Sequence, residues 1–144
     1  MQAQMLAPAA ALIAWSLIML VLIPVTRFPA MAKLGIHVGN APRGARGQDG
    51  EDQMPDRVKW ISHNYTHLME QPTIFYPAVI IIAMLGAAAG DVLAAWIYVG
   101  LRIIHSLWQA FLNIVLVRFL LFLAATGALA YLAVRTVILT MGAA

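Results

Sequence analysis

Residues 63–90 read HNYTHLMEQPTIFYPAVIIIAMLGAAAG, a short polar stretch that leads without interruption into a long apolar one. The polar part carries His63, His67 and Glu70, and the apolar run extends from Pro72 to Gly90. A transmembrane helix needs roughly 20 mostly apolar residues, so this run is long enough to cross a bilayer. The stretch therefore predicts a membrane span with ionisable side chains at one end.

The composition of the whole chain is typical of a membrane protein. Of its 144 residues, 62% are hydrophobic and only 10% are charged, and the mean hydropathy is +0.84. A soluble domain usually has fewer apolar and more charged residues. Three further apolar runs are also long enough to span a bilayer. We predict one all-α, integral membrane four-helix bundle over residues 1–144, with spans at roughly 5–27, 58–86, 91–115 and 118–141 and a loop at roughly 28–57.

The basic residues predict the orientation in the membrane. The segment from Arg27 to Lys59 holds six of the nine lysines and arginines, whereas no basic residue precedes the first span. By the positive-inside rule this first loop faces the cytoplasm, both termini lie on the outer side, and we expect a cell inner membrane. The same pattern favours a retained first span over a cleaved signal peptide.

Charge and cysteine content exclude other classes of function. The net charge of +3 is not clustered on a soluble domain, so we predict no nucleic-acid partner. The chain has no cysteine, which excludes disulfides and a thiol nucleophile of its own. A transporter is disfavoured because the chain is small and shows no inverted repeat.

Two polar faces are predicted inside the bundle. At about 1.5 Å of rise per residue, Glu70 and Arg102 lie at nearly the same depth near the cytoplasmic face. An arginine at the bilayer centre costs about 2.5 to 3.5 kcal/mol even on a lenient scale, so we predict an ion pair between these two residues. By helical spacing, the two faces consist of His63, His67 and Glu70 in the second span, and of Arg102, His105, Gln109 and Asn113 in the third.

The polar residues admit three interpretations. We favour a polar, cationic cavity open to the cytoplasm, because one ion pair between helices would not require so many further polar groups. The second interpretation is that these groups only hold the helices together. The third interpretation is a metal site with His63, His67, Glu70 and His105 as ligands. The sequence has no second acidic cluster to support such a site, so we predict no metal.

Two segments and one arginine resemble the MAPEG family, the membrane-associated proteins in eicosanoid and glutathione metabolism, in a bacterial-type form. They are HLMEQPTIFYP at 67–77, RIIHSLWQ at 102–109, and Arg118 at the start of the fourth span. The resemblance covers roughly residues 57–135, the four-span plan and the basic first loop. It implies a homotrimer that binds glutathione, as co-substrate, between neighbouring subunits near the cytoplasmic face.

The resemblance also implies roles for single residues. Glu70 matches the glutamate that holds the amino end of glutathione, and Arg102 and His105 match the R-x-x-H element of the family. Arg118 resembles the arginine that stabilises the glutathione thiolate, and it is the predicted catalytic residue.

Three predicted glutathione-binding residues depart from the family pattern. His67 stands where the family has Asn, His63 where many members have Arg, and Gln109 where better-known members have Tyr. The implied function is that of a transferase or peroxidase-like protein acting on a lipophilic electrophile, with membrane lipid and a hydrophobic small molecule as further partners. The alternative is a noncatalytic member that binds a lipid or a partner helix. The substrate, and the choice among transferase, peroxidase and isomerase, stay open.

We predict structural roles for two charged residues at the other end of the bundle. Asp91 follows the turn after the second span, where a carboxylate can cap the next helix. Arg135, far along the fourth span, is expected to extend its side chain to the outer interface.

Overall fold

The helices of this computed structural model account for all four predicted spans. The structure describes residues 1–142, and their regular secondary structure is helical throughout. Four segments are long and apolar enough to cross a membrane, the second being α2 and α3 together. The predicted all-α, four-span fold is therefore confirmed. The helices are α1 (Gln2–Lys33), α2 (Asp56–Leu68), α3 (Pro72–Leu85), α4 (Ala89–Phe111) and α5 (Val115–Gly142).

The ends of the helices differ from the predicted spans. Helix α1 continues past Arg27 to Lys33, and Gly35 then takes a left-handed conformation with φ 68°, which suits a residue just after a helix end. Helix α4 ends at Phe111, and Asn113 follows with φ 53°. Because asparagine tolerates this conformation better than most residues, it forms the turn into α5. Two 3₁₀ helices, Val38–Asn40 and Glu51–Gln53, lie between α1 and α2.

The predicted single domain over residues 1–144 includes two residues, 143 and 144, that lie outside the described part. Its boundaries stay a prediction.

The second span is interrupted between α2 and α3. Residues 69–71 form a turn, and Pro72 is the first residue of α3. Proline has no backbone N–H with which to continue the helical bonds, but it fits well at a helix start. Glu70 therefore lies in a turn, and the predicted helical face through His63, His67 and Glu70 is not continuous.

Helix α4 lies at the centre of the bundle, where it packs against α1, α2 and α5. In the core, the ring of Phe75 on α3 stacks on Tyr98 of α4 with 4.4 Å between the ring centroids. The outer surface is apolar as well, since only 17% of the most apolar stretch of α5 is buried. Such a surface is too extensive for water, so it contacts membrane lipid or another apolar partner.

The end of the bundle where α1 begins and α5 ends is held by a buried carboxylate. Asp91 has no exposed surface, and its Oδ2 accepts a hydrogen bond from the Ala88 N–H at 2.9 Å, so the predicted cap is confirmed. Its Oδ1 accepts hydrogen bonds from Nε of Arg135 at 2.9 Å and from the hydroxyl of Tyr131 at 3.1 Å. Arg135 thus supplies the cation that the buried carboxylate requires, and its position at the outer interface stays a prediction.

We predict that Asp91→Asn lowers the midpoint of thermal unfolding in detergent by several degrees. The substitution removes the negative charge and leaves the guanidinium of Arg135 without its partner. Asp56→Asn is the matched control, because the Asp56 carboxylate is 72% exposed and pairs only with Lys59. Equal unfolding midpoints for the two variants would contradict a structural role for the Asp91–Arg135 pair.

Candidate functional site

Arg102 of α4 reaches the point where the second span breaks. Its side chain is fully buried, and Nη2 donates a hydrogen bond of 2.6 Å to the carbonyl oxygen of His67. The helical bonds end at this place, with the Met69 N–H bound to the Thr66 carbonyl. A carbonyl group at a helix end inside a membrane needs a donor from elsewhere, and the buried guanidinium supplies it.

Glu70 does not pair with Arg102, contrary to the prediction. Its Oε2 accepts a hydrogen bond from Nδ1 of His67 at 2.8 Å, and the carboxylate is 61% exposed. Nε2 of His67 then faces Nη1 of Arg102 at 3.4 Å, a weak contact in which the unprotonated ring nitrogen is the acceptor. The predicted ion pair is wrong because Glu70 lies in the turn, and the imidazole of His67 stands between the two charges.

The imidazole of His67 is enclosed by rings from two other helices. Its centroid lies 4.8 Å from that of His105 on α4 and 5.5 Å from that of Phe122 on α5. His105 is 3% exposed. Arg118 precedes Phe122 by one helical turn, so it lies on the same side of α5. The structure thus gathers side chains of α2, α4 and α5 around His67.

Polar atoms with unused hydrogen-bonding capacity lie at this end of the bundle. Nη1 of Arg118 donates to Oδ1 of Asn113. The Nε atoms of Arg118 and Arg102 and the Oε1 of Gln109 are buried, and no other group within residues 1–142 binds them. Asn113 was predicted on the polar face of the third span, but it lies in the turn after α4. Buried polar groups normally have partners, so these atoms are candidates to bind water or a ligand.

His63 is directed away from this cluster and towards the connection between α1 and α2. Its Nε2 lies 3.1 Å from Oε2 of Glu51, whose Oε1 also accepts a hydrogen bond of 3.2 Å from Arg27. The Glu51 carboxylate thus ties both α1 and α2 to the connecting segment. A role for His63 in ligand binding stays a prediction.

Asn64 was missed by the sequence reasoning. It has no exposed surface, and its Nδ2 donates to Oγ of Ser106 at 2.8 Å. Nε1 of Trp15 donates to the same oxygen at 2.9 Å, which joins α1, α2 and α4 one turn from Arg102. A signal was present, since Asn64 lies three residues after Ile61 and four before Leu68, on the core face of α2.

No group of three or more His, Asp and Glu side chains within residues 1–142 is placed to hold a metal ion. In the metal interpretation, His63 would have joined His67, Glu70 and His105. It is held by Glu51 instead.

Residues 5–138, nearly the whole chain, match the sequence model of the MAPEG family. The chain belongs to the MAPEG family. Membership and the four apolar helices together support an integral membrane protein. Membership does not specify an activity, because the family includes glutathione-related transferases and other members. No curated protein and no solved structure matches the chain. The resemblance in the motifs of the second and third spans is thus confirmed at the level of the family.

In this MAPEG protein, the Glu51 carboxylate ties the connecting segment to α1 and α2, and we predict that acid weakens this attachment. Partial burial by itself raises the pKa of Glu51, but hydrogen bonds from Ser62 and His63 and the charge of Arg27 outweigh it and hold this pKa below its ordinary value of 4.5. A carboxyl group with a lowered pKa stabilises the folded state fully above its ordinary pKa. This stabilisation is lost as the pH falls through the lowered value.

We therefore expect a spin label on Ala45→Cys to become more mobile as the pH falls below 4.5, in a chain that has no other cysteine. With Glu51→Gln the label should be mobile at every pH. Asp52→Asn is the control, since the neighbouring Asp52 is exposed, and should leave the transition unchanged. A transition that persists in Glu51→Gln would show that another group controls the attachment.

Proposed function

We propose that this MAPEG protein is a membrane-bound, glutathione-dependent enzyme of the transferase or peroxidase-like type that acts on a lipophilic electrophile. The observation that carries the proposal is the position of His67, fixed between the exposed carboxylate of Glu70 and the buried guanidinium of Arg102. This arrangement presents a negative charge on the surface beside a cationic interior. Glutathione has the complementary charges, one ammonium and two carboxylates.

The exposed or buried position of each side chain indicates which part of glutathione it would contact. The carboxylate of Glu70, which is 61% exposed, would accept hydrogen bonds from the ammonium group. The carboxylates of the peptide would lie towards Arg118, on the α5 side of the cluster, because both ring nitrogens of His67 already have partners. Arg102 has no exposed surface, so it acts as a positioning residue that holds His67 at the helix break. His105 and Gln109, both nearly buried, would line the inner wall.

The chemistry follows from a cation close to the sulfur atom. A free thiol has a pKa near 8.5, so only a few per cent is thiolate at neutral pH. A fixed positive charge within a few ångströms lowers this pKa, and the guanidinium of Arg118 would supply that charge. The thiolate would attack a lipophilic electrophile that arrives from the bilayer. The new bond joins sulfur to the electrophilic atom, and the displaced group departs with its electron pair.

The proposal includes a homotrimer and an orientation. Glu70 and much of α5 are exposed in one protomer, so a neighbouring subunit would cover this edge and complete the glutathione site, as the family resemblance implies. The loop end of the bundle would face the cytoplasm of a bacterial-type cell, because the basic residues concentrate there. The protein would then take cytoplasmic glutathione and a membrane-dissolved substrate.

Titration of glutathione into the detergent-solubilised protein tests binding. We expect saturable binding in the micromolar to millimolar range, and a roughly tenfold to hundredfold weaker affinity for Glu70→Gln, since a hydrogen bond to a charged group contributes about 1.5 to 3 kcal/mol. Arg102→Met should also weaken binding, through release of His67. Asp56→Asn is the control and should bind as the wild type does. If the wild type shows no saturation at millimolar glutathione, the proposal is wrong, and a noncatalytic lipid- or helix-binding role is favoured.

The role of Arg118 predicts a change in the ionisation of bound glutathione. In Arg118→Gln the apparent pKa of the bound thiol should rise towards about 8.5, because the stabilising cation is absent. The ultraviolet absorbance of the thiolate, followed against pH at saturating glutathione, measures this value. Arg57→Gln removes an exposed arginine at the same end of the bundle and should leave the pKa unchanged. An identical thiol pKa in wild type and Arg118→Gln would show that a group other than Arg118 stabilises the thiolate.

A further inference from the structure

A pocket lies at the loop end of the bundle, apart from the His67 cluster. It has a volume of about 820 Å³ and lies between the end of α1 and the segment that connects α1 to α2. Phe28 and Met31 of α1 and Met54 before α2 supply apolar surface, whereas Arg43 and Arg46 lie on the connecting segment. The pocket therefore combines a hydrophobic wall with three guanidinium groups, those of Arg27, Arg43 and Arg46.

The fold holds both sides of this pocket in place. Nη2 of Arg27 donates to the carbonyl of Gly47 and to Oε1 of Glu51, which draws the connecting segment onto α1. The Ile36 N–H donates to the carbonyl of Met31 at 3.0 Å and turns the chain back over the helix end. Met54 is only 5% exposed. These contacts make the pocket a defined part of the fold.

The charges of the pocket are unequal. Arg27 is neutralised by Glu51, and Asp49 is the acidic residue among the lining side chains. The Asp49 carboxylate accepts a hydrogen bond from the backbone N–H of Arg46 at 2.7 Å. The guanidinium groups of Arg43 and Arg46 are exposed and form no hydrogen bond or ion pair with any side chain or carbonyl among residues 1–142. Asp49 offsets one of the two guanidinium charges, so the pocket keeps a net positive charge, and both guanidinium groups keep their hydrogen-bond donors for an external anion.

We propose that this pocket binds the head group of an anionic phospholipid from the adjacent leaflet. The lipid phosphate would lie between Arg43 and Arg46, since a guanidinium donates paired hydrogen bonds to phosphate oxygens. The acyl chains would lie along Phe28 and Met31. Phe28 is 58% exposed beside the first charged residue after the apolar stretch of α1, so it lies where the bilayer core meets the head groups. A soluble phosphate would leave this hydrophobic wall uncovered.

Native mass spectrometry of the delipidated full chain in neutral detergent tests the proposal. The probes are phosphatidylglycerol and phosphatidylcholine with the same acyl chains. We expect preferential retention of phosphatidylglycerol, and a loss on the order of tenfold in its affinity when Arg43→Gln and Arg46→Gln are combined. The matched control combines Arg57→Gln with Lys59→Gln, which removes two positive charges at the same end of the bundle outside the pocket, and should retain the lipid. Equal thermal unfolding of the two double variants would show that both are folded.

Three results would overturn the proposal. Equal retention of the two lipids would show that the head-group charge is not recognised. An equal loss of phosphatidylglycerol affinity in both double variants would show that the overall positive charge of the loop end, and not the pocket, causes the preference for this lipid. Displacement of the lipid by glycerol phosphate at the same concentration would identify a site for soluble anions, because the acyl chains would then contribute nothing.

Discussion

The second membrane span breaks at residues 69–71, and the guanidinium of Arg102 binds the carbonyl oxygen of His67 at this break. A broken helix in a bilayer leaves backbone groups that water cannot satisfy, so another part of the protein has to bind them. A buried guanidinium in turn needs acceptors, because an unpaired charge in this environment is costly. Each group thus stabilises the other, and this contact fixes where α2 lies against α4.

The position of the candidate site depends on this contact. With the helix ended at Leu68, Glu70 lies in the turn, where its carboxylate is exposed and holds the Nδ1 side of His67. His67 is consequently oriented from both sides, by Glu70 on the surface and by Arg102 within. In the proposed function, the residues that touch glutathione are therefore Glu70 and Arg118, whereas Arg102 acts through His67, which orients Glu70.

The two ends of the bundle differ in how their charges are balanced. At the end where α1 begins and α5 ends, Asp91 and Arg135 neutralise each other inside the protein. At the loop end, Arg43 and Arg46 face outwards, and Arg118 keeps an unused buried donor. Positive charge without an internal partner attracts anions, and both ligands that we propose, glutathione and an anionic phospholipid, are anionic.

Hydropathy and motif spacing were enough to predict the four spans, the concentration of polar residues at one end and the family. Hydropathy is summed along the chain and therefore survives any detail of packing. Helical spacing also placed His67 and Arg102 at one depth correctly. The partners of the polar side chains follow from the packing of the helices. This packing joined Glu70 to His67, directed His63 to Glu51, and buried Asn64 beside another helix. The direction of a side chain at a helix break depends on which donors the neighbouring helices bring to that break, and residue spacing within one segment carries no information about them.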